Sequence, residues 1–216
     1  KYLLGTMEGS TWNNYRFSLH NDHPNFFLEP YHHAYYNQQF QAAGFQPIVR
    51  YVSNLDEQLG VDENRLQELE NHFQKESIII RNIDLEKVEE ELYRIGQFSI
   101  KAFANNFLYT PIASEDFVAK YSKVKTLFQK ELIWIVENEQ QEIQAISFSI
   151  KDHWDAKGET VVIKSLARKK GSSLRGLGAF LIAKTYKTVK QLGYKKVIHA
   201  MMIQDNASIN LSENYS

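Results

Sequence analysis

The sequence predicts an α+β (mixed α/β) fold, and three observations carry that prediction. Short apolar runs of strand length recur between longer stretches with helical periodicity, three such runs follow one another directly between residues 132 and 167, and Gly176 and Gly193 bracket one helical stretch. With 216 residues, 43% of them hydrophobic, the chain has ample material for a core. Ten Gly and four Pro exclude a low-complexity or collagenous chain, and the absence of cysteine excludes disulfides, thiolate catalysis and Cys-ligated metal. No apolar run reaches the length of a bilayer span and the first residues show no signal-peptide pattern, so a cytoplasmic protein with no membrane partner is expected.

From the N-terminus, GTMEGSTWNNYR reads as a polar, turn-rich loop carrying Trp12 and Tyr15. Phe26, Phe27 and Leu28 read as a short strand ending at Pro30. A Tyr-rich helix from His32 to Ala43 follows, closed by Gly44, and then a strand from Pro47 to Val52. Residues 1–53 make up this first zone. Residues 54–76 are acidic and helix-prone, with Leu66, Leu69 and Phe73 as one apolar stripe, and read as a helical connector.

The third zone, 77–216, is the most regular. Ile78, Ile79 and Ile80 form a buried-type strand, Asp84 caps a helix running to about Ala104, and Ser114 caps a shorter one toward Phe128. Leu132–Glu137, Ile143–Ile150 and Thr160–Ala167 are the three strand-like runs. The polar turn at Asn138 makes the first two an antiparallel hairpin. A basic, glycine-containing loop then leads into a helix from Gly176 to Leu192, and a last strand spans Lys196 to Met202.

Net charge is −1, which taken alone argues against an anionic partner. The average hides an asymmetry. Thr160 to Gln204 holds ten Lys and Arg (Lys164, Arg168, Lys169, Lys170, Arg175, Lys184, Lys187, Lys190, Lys195 and Lys196) and no Asp or Glu. The remainder holds fifteen basic and twenty-six acidic residues. Such a segment suits an anion site, although a lysine-rich helix is also an ordinary solvated face.

Within that segment TVVIKSLARKKGSSLRGLGAFL runs strand, basic turn, G-x-G, helix. A helix N-terminus offers unpaired backbone N–H groups and a partial positive charge to a phosphate, and Gly176 and Gly178 let the main chain approach the ligand. The segment is neither a P-loop, which ends in Gly-Lys-Ser/Thr, nor a dinucleotide fingerprint, which needs a third glycine. It resembles the GNAT superfamily of acyl-CoA-dependent N-acetyltransferases, whose signature is Gln or Arg, two residues, Gly, one residue, then Gly or Ala. Here that reads Ser173-Leu174-Arg175-Gly176-Leu177-Gly178, with Ser173 departing from the first position. The stretch LGYKKVIHAMMIQDNASIN is similar to the family's fifth strand followed by an Asn, here Asn206.

The resemblance implies a mostly antiparallel central sheet flanked by helices, acetyl-CoA (acyl-CoA) as co-substrate, no metal, and a small-molecule or protein amine as acceptor. It implies that main-chain groups near Leu166, Ala167 and Arg168 hold the thioester and that Ser173, Leu174, Arg175, Gly176, Leu177, Gly178 and Ala179 cradle the pyrophosphate. Asn206 would meet the pantetheine arm and Tyr215 stands nearest to the family's thiolate-protonating tyrosine. His199, inside the last strand, is a candidate proton acceptor, although a histidine in such an apolar strand is more often a satisfied core residue. Glu137 and Asp152 are candidate bases at strand ends. Trp12, Tyr15, Tyr31, Tyr35 and Tyr36 are candidates to line an acceptor pocket and, equally, core aromatics. A non-catalytic CoA-binding module and a transfer-RNA-binding aminoacyl-transferring relative stay open as alternatives, with nucleic acid the less expected partner. Residues 32–52 resemble the family's closing helix, Gly-Phe pair and strand, so residues 1–53 are either the tail of a GNAT-like repeat or an extension packed on residues 77–216.

Overall fold

The computed structural model describes residues 2–19, 23–171 and 174–204. Among them β1 (Tyr51–Asp56), β2 (Ile79–Asn82), β3 (Ile133–Glu137), β4 (Ile143–Lys151), β5 (Thr160–Arg168) and β6 (Lys196–Ile203) form one sheet in the order β1-β6-β5-β4-β3-β2. Neighbours are antiparallel except β5 and β6, which the crossover helix α5 (Leu177–Gln191) makes parallel. This is the mixed, mostly antiparallel sheet flanked by helices that the sequence predicts. β1 straddles residue 53 and adds to the same sheet as the strands of residues 77–216.

Helices α1 (Tyr35–Ala42), α2 (Glu63–Lys75), α3 (Val88–Ala102) and α4 (Ser114–Ser122) complete the fold. One face of the sheet carries α5, which α2 covers in turn. Leu177, Phe180 and Leu181 of α5 pack with Leu66 and Phe73 of α2 and with Val136 and Ala145 of the sheet. Burying each side chain of this size stabilises by roughly 1.5–3 kcal/mol. The opposite face carries α3 and α4, where Leu92, Ile95 and Phe117 meet Ile133, Ile135, Ile146 and Phe148. Gly96 lets these two helices close on each other, since a Cβ there would lie 2.9 Å from a ring carbon of Phe117.

A four-member ion network fixes α3 to the sheet. Arg81 of β2 forks onto Glu137 of β3 (2.7 and 2.9 Å) and onto Glu91 of α3 (3.0 and 3.0 Å), and Arg94 contacts both carboxylates. Both carboxylates are buried and every one of their oxygens has a guanidinium partner.

The structure corrects several local expectations. Phe26 to Leu28 is a turn: Glu29 N–H donates to Phe26 O at 3.0 Å, Leu28 has φ of 80°, and Phe27 N–H donates to Asp152. The run is apolar because Phe26 caps a cluster of Ile150, Val162 and Ala200, not because it pairs as a strand. β1 starts four residues later than Pro47, where its ladder with β6 begins. Ser114 is the first residue of α4 and forms no side-chain cap. Asp84 does cap, accepting from Glu86 N–H at 3.0 Å, but opens a 3-10 turn that leads into α3.

Candidate functional site

The site is built on a fork between two parallel strands. β5 and β6 are paired only from Thr160–Lys196 to Ile163–His199, yet β5 runs on to Arg168 and β6 to Ile203. Both strands carry a bulge at the parting. On β5, Phe148 faces Ser165 and Ser149 faces Ile163, which leaves Lys164 as the extra residue. On β6, Val52 faces Met202 and Asn54 faces His199, so one residue is extra where Met201 adopts φ of 55° and donates its N–H to Ser53 Oγ at 2.9 Å. Bulges bend a strand and sharpen its twist, so one in each strand at the same level drives them apart.

Beyond the fork β5 keeps its partner on the other side. Lys169 N–H donates to Gln144 O on β4 at 2.7 Å, so by strand alternation the N–H groups of Leu166 and Arg168 face away from β4, into the opening. Leu166 and Ala167 anchor this stretch to the cores on the two faces of the sheet. The chain then turns into α5. Gly176 occupies the N-cap position with φ of 79°, a left-handed conformation that a side chain resists, and a glycine offers no side chain of its own to cap the helix. Phe180 N–H already bonds Gly176 O, whereas the N–H groups of Leu177 and Gly178 belong to the first turn, which has no intrahelical acceptors. Leu174 and Leu177 are buried in the α2–α5 core and hold the turn in place.

The basic segment looks unopposed in sequence, and half of it is opposed in space. Lys184 pairs with Glu70 and Lys187 with Glu63, both on α2, while Lys169 pairs with Glu142, Lys195 with Glu159 and Lys196 with Glu57. The other five form no ion pair with any described residue. Arg168, Lys170 and Arg175 flank the turn and are exposed, Lys164 stands at the fork, and Lys190 is exposed on α5. Three of these five cations thus flank the N-terminus of α5, whose partial positive charge already favours an anion.

Other candidates are placed differently. His199 is the last β6 residue paired before the fork, but its ring is buried and its Nε2 lies 2.7 Å from the Tyr186 hydroxyl on α5. Burial lowers its pKa to about 4, against the opposing pull of Asp56, so the imidazole is neutral at pH 7. Glu137 lies on β3, away from the fork. Burial works against its ionisation, but Arg81 and Arg94 hold its carboxyl below the usual range. Asp152 is buried in the turn after β4, where it accepts from Phe27 N–H and Trp154 N–H. Ser173, Asn206 and Tyr215 lie outside the described residues. Of the five N-terminal aromatics proposed for an acceptor pocket, Trp12 lines a cavity on the α3–α4 face, while Tyr15 packs against Tyr51.

Two residues at that cavity escape sequence reasoning. Lys164 Nζ donates to the Tyr121 hydroxyl at 3.0 Å, which joins the fork to α4. Only the position of the bulge, a pairing property, singles Lys164 out of the basic segment. A separate open cleft of about 350 Å³, touching Asn138, Gln144, Lys170 and Leu174, lies on the β3–β4 side of the turn rather than in the fork. Among the described residues no three His, Asp or Glu side chains converge as metal ligands, and no helix is long and apolar enough to cross a membrane.

No protein-family model and no curated protein sequence matches the chain. Solved structures do. A GCN5-related N-acetyltransferase from Sphaerobacter thermophilus superposes with a TM-score of 0.56 at 11% identity, over 83% of this chain and 51% of that one. The glucosamine N-acetyltransferase region of a fungal multi-domain GH3 β-N-acetylglucosaminidase superposes with a TM-score of 0.51 at 15% identity, over 85% of this chain and 21% of that one. The chain therefore spans about half the length of the first structure and about a fifth of the second.

Proposed function

Starting from the fact that the chain has the GCN5-related N-acetyltransferase (GNAT) fold, we propose that it transfers an acyl group from acyl-CoA to an amine. The observation that carries this reading is the fork between β5 and β6 with the glycine-led N-terminus of α5 beyond it, around which collect the cations that form no ion pair with described residues. The residues fit a pyrophosphate-bearing thioester. First-turn N–H groups of α5 and the side chains of Arg168, Lys170 and Arg175 meet the phosphates. Leu166 and Arg168 N–H groups face the thioester oxygen and stabilise the charge it gains as the amine attacks.

Acyl-CoA supplies an activated carbonyl: the amine nitrogen bonds to that carbon, the carbon–sulfur bond breaks, and the nitrogen's proton leaves while the sulfur departs as a thiol. His199, already bonded to Tyr186 and neutral, is given no proton-transfer role here. The pairing of five lysines with carboxylates also leaves little free charge for an extended nucleic-acid surface, so a small or protein amine is the proposed acceptor.

Thermal melting tests the reading. Acetyl-CoA at about a hundred times its Kd adds roughly 2.7 kcal/mol, which for a chain of this size raises Tm by about 5–10 °C. Gly176→Glu, which sets a carboxylate and a side chain at the N-terminus of α5, abolishes the shift. Absence of any shift with acetyl-, succinyl- or longer acyl-CoA overturns the proposal. A second reading, a CoA-binding module without turnover, is favoured by the engagement of both His199 and Glu137. Full CoA affinity with no product across an amine panel would select it.

A further inference from the structure

Strand alternation breaks at one point of β5. Val162 packs toward the face covered by the N-terminal segment and Ile163 toward α5, but Lys164 and Ser165 then line the same cavity, before Leu166 returns to the α5 side. The bulge at Lys164 is the cause, because the extra residue re-aims its side chain. The cavity is small, about 30 Å³, and is walled by Trp12, Phe117, Tyr121 and Phe148. Trp12 is held in the wall by its indole N–H, which donates to Thr110 O at 2.8 Å, and by edge contact with Phe117 at 5.8 Å.

A half-buried ammonium therefore faces an aromatic cavity at the mouth of the fork. Among the described residues its one hydrogen-bond partner is a neutral phenol, the Tyr121 hydroxyl at 3.0 Å, and its cation–π contact with the same ring is long, 5.2 Å. No carboxylate lies within ion-pair distance of Lys164 among the described residues. Partly desolvating a cation without a counter-charge is costly, which leaves a place for an anionic group to complete. The volume admits a small planar head group and excludes a ring.

We propose that Lys164 and Tyr121 form the carboxylate subsite of the acceptor, so that the amine substrate belongs to the class of amino acids. This rests on the acyl-transfer reading above. Leu166, whose N–H faces the fork, lies two residues beyond Lys164, roughly 7 Å along the strand. That separation fits an amine and a carboxylate a few bonds apart in one small molecule. A free amine lacking the carboxylate would instead bring its ammonium up to the Lys164 ammonium, and like charges disfavour it.

Steady-state acetyl transfer to L-phenylalanine and β-alanine is compared with transfer to their carboxamides. The amide amines are the less basic, so a preference for the acids cannot come from the supply of free amine. The expected kcat/KM ratio is roughly ten- to a hundredfold in favour of the acid, carried by KM. Lys164→Met removes the preference, raising KM for the acids and easing the repulsion of the amides, and Lys164→Arg keeps most of it. Equal use of acid and amide by the wild-type chain overturns the proposal, as does a preference that survives in Lys164→Met. Calorimetric titration with N-acetyl-L-phenylalanine and its amide reads the same subsite without turnover. Acid-selective binding in a chain that acyl-CoA does not stabilise would refute the acyl-transfer reading, and with it the acceptor role. An acyl-CoA shift without acid selectivity would refute the carboxylate subsite alone.

Discussion

Two charged regions of this molecule are opposites. At β2, α3 and β3, Arg81 and Arg94 meet Glu91 and Glu137 and every carboxylate oxygen is answered. At the turn between β5 and α5, Arg168, Lys170 and Arg175 sit exposed with no carboxylate partner among the described residues. Charge that is matched and buried holds elements together, and its cost is met inside the fold. Exposed charge with no such partner at the start of a helix adds little to folding and suits an anionic ligand. The contrast separates structure from function more sharply than the net charge of −1, in which both regions disappear.

The largest expected effect is in the matched region. Arg81→Met leaves two buried carboxylates short of partners and lowers stability by about 3–5 kcal/mol, measured by urea unfolding. Lys170→Gln with Arg175→Gln at the turn changes stability by no more than about 0.5 kcal/mol, yet weakens acyl-CoA binding several-fold and flattens its salt dependence. If the two substitutions cost as much stability as Arg81→Met, the contrast fails.

Acid separates the regions again. His199 titrates at about 4 in the fold and at about 6.5 when unfolded, so below 6.5 the unfolded chain binds the extra proton. Stability present above pH 6.5 is lost as pH falls toward 4, by about 3 kcal/mol in all, and His199→Gln flattens that window. Glu137 acts lower: its folded pKa is depressed, so its contribution persists until pH falls below the ordinary carboxylate range.

Smaller effects sharpen the picture. Gly176→Ala forces a side chain into φ of 79° and costs roughly 1–2 kcal/mol by thermal melting, although the nearest atom to a Cβ there is Leu69 Cδ2 at 3.5 Å and sterics add little. Lys187→Ala loses an exposed pair with Glu63 and costs at most about 1 kcal/mol in the same assay.

How much of this could be read from residues alone depends on how local the cause is. β3, β4 and β5 lie within about one residue of the apolar runs that announce them, and α5 begins one residue after Gly176. Local periodicity and capping suffice there. Phe26 to Leu28 misled because burial from above and burial in a sheet give the same apolar run. The partners of Lys184 and Lys187 sit on α2, more than a hundred residues earlier, so no reading of the basic segment alone reveals that they are neutralised. The glycine turn was legible as a turn into a helix, with Gly176 in the left-handed conformation at its start. Lys164 was not, because its place depends on a bulge, and a bulge is a relation between two strands.

That β1 closes the sheet on β6 also bears on how the chain folds. The contact between Met201 and Ser53 spans 148 residues, so the β1–β6 ladder closes the largest loop of the sheet and is expected among the last strand pairings to form. Until it does, β6 presents an open row of donors and acceptors on its edge away from β5 and the fork, ready to accept a strand from another chain. The N-terminal region thereby acts as a guard on the assembly of its own sheet. Crowded refolding, in which chains compete with β1 for that edge, is where exchange between molecules would begin.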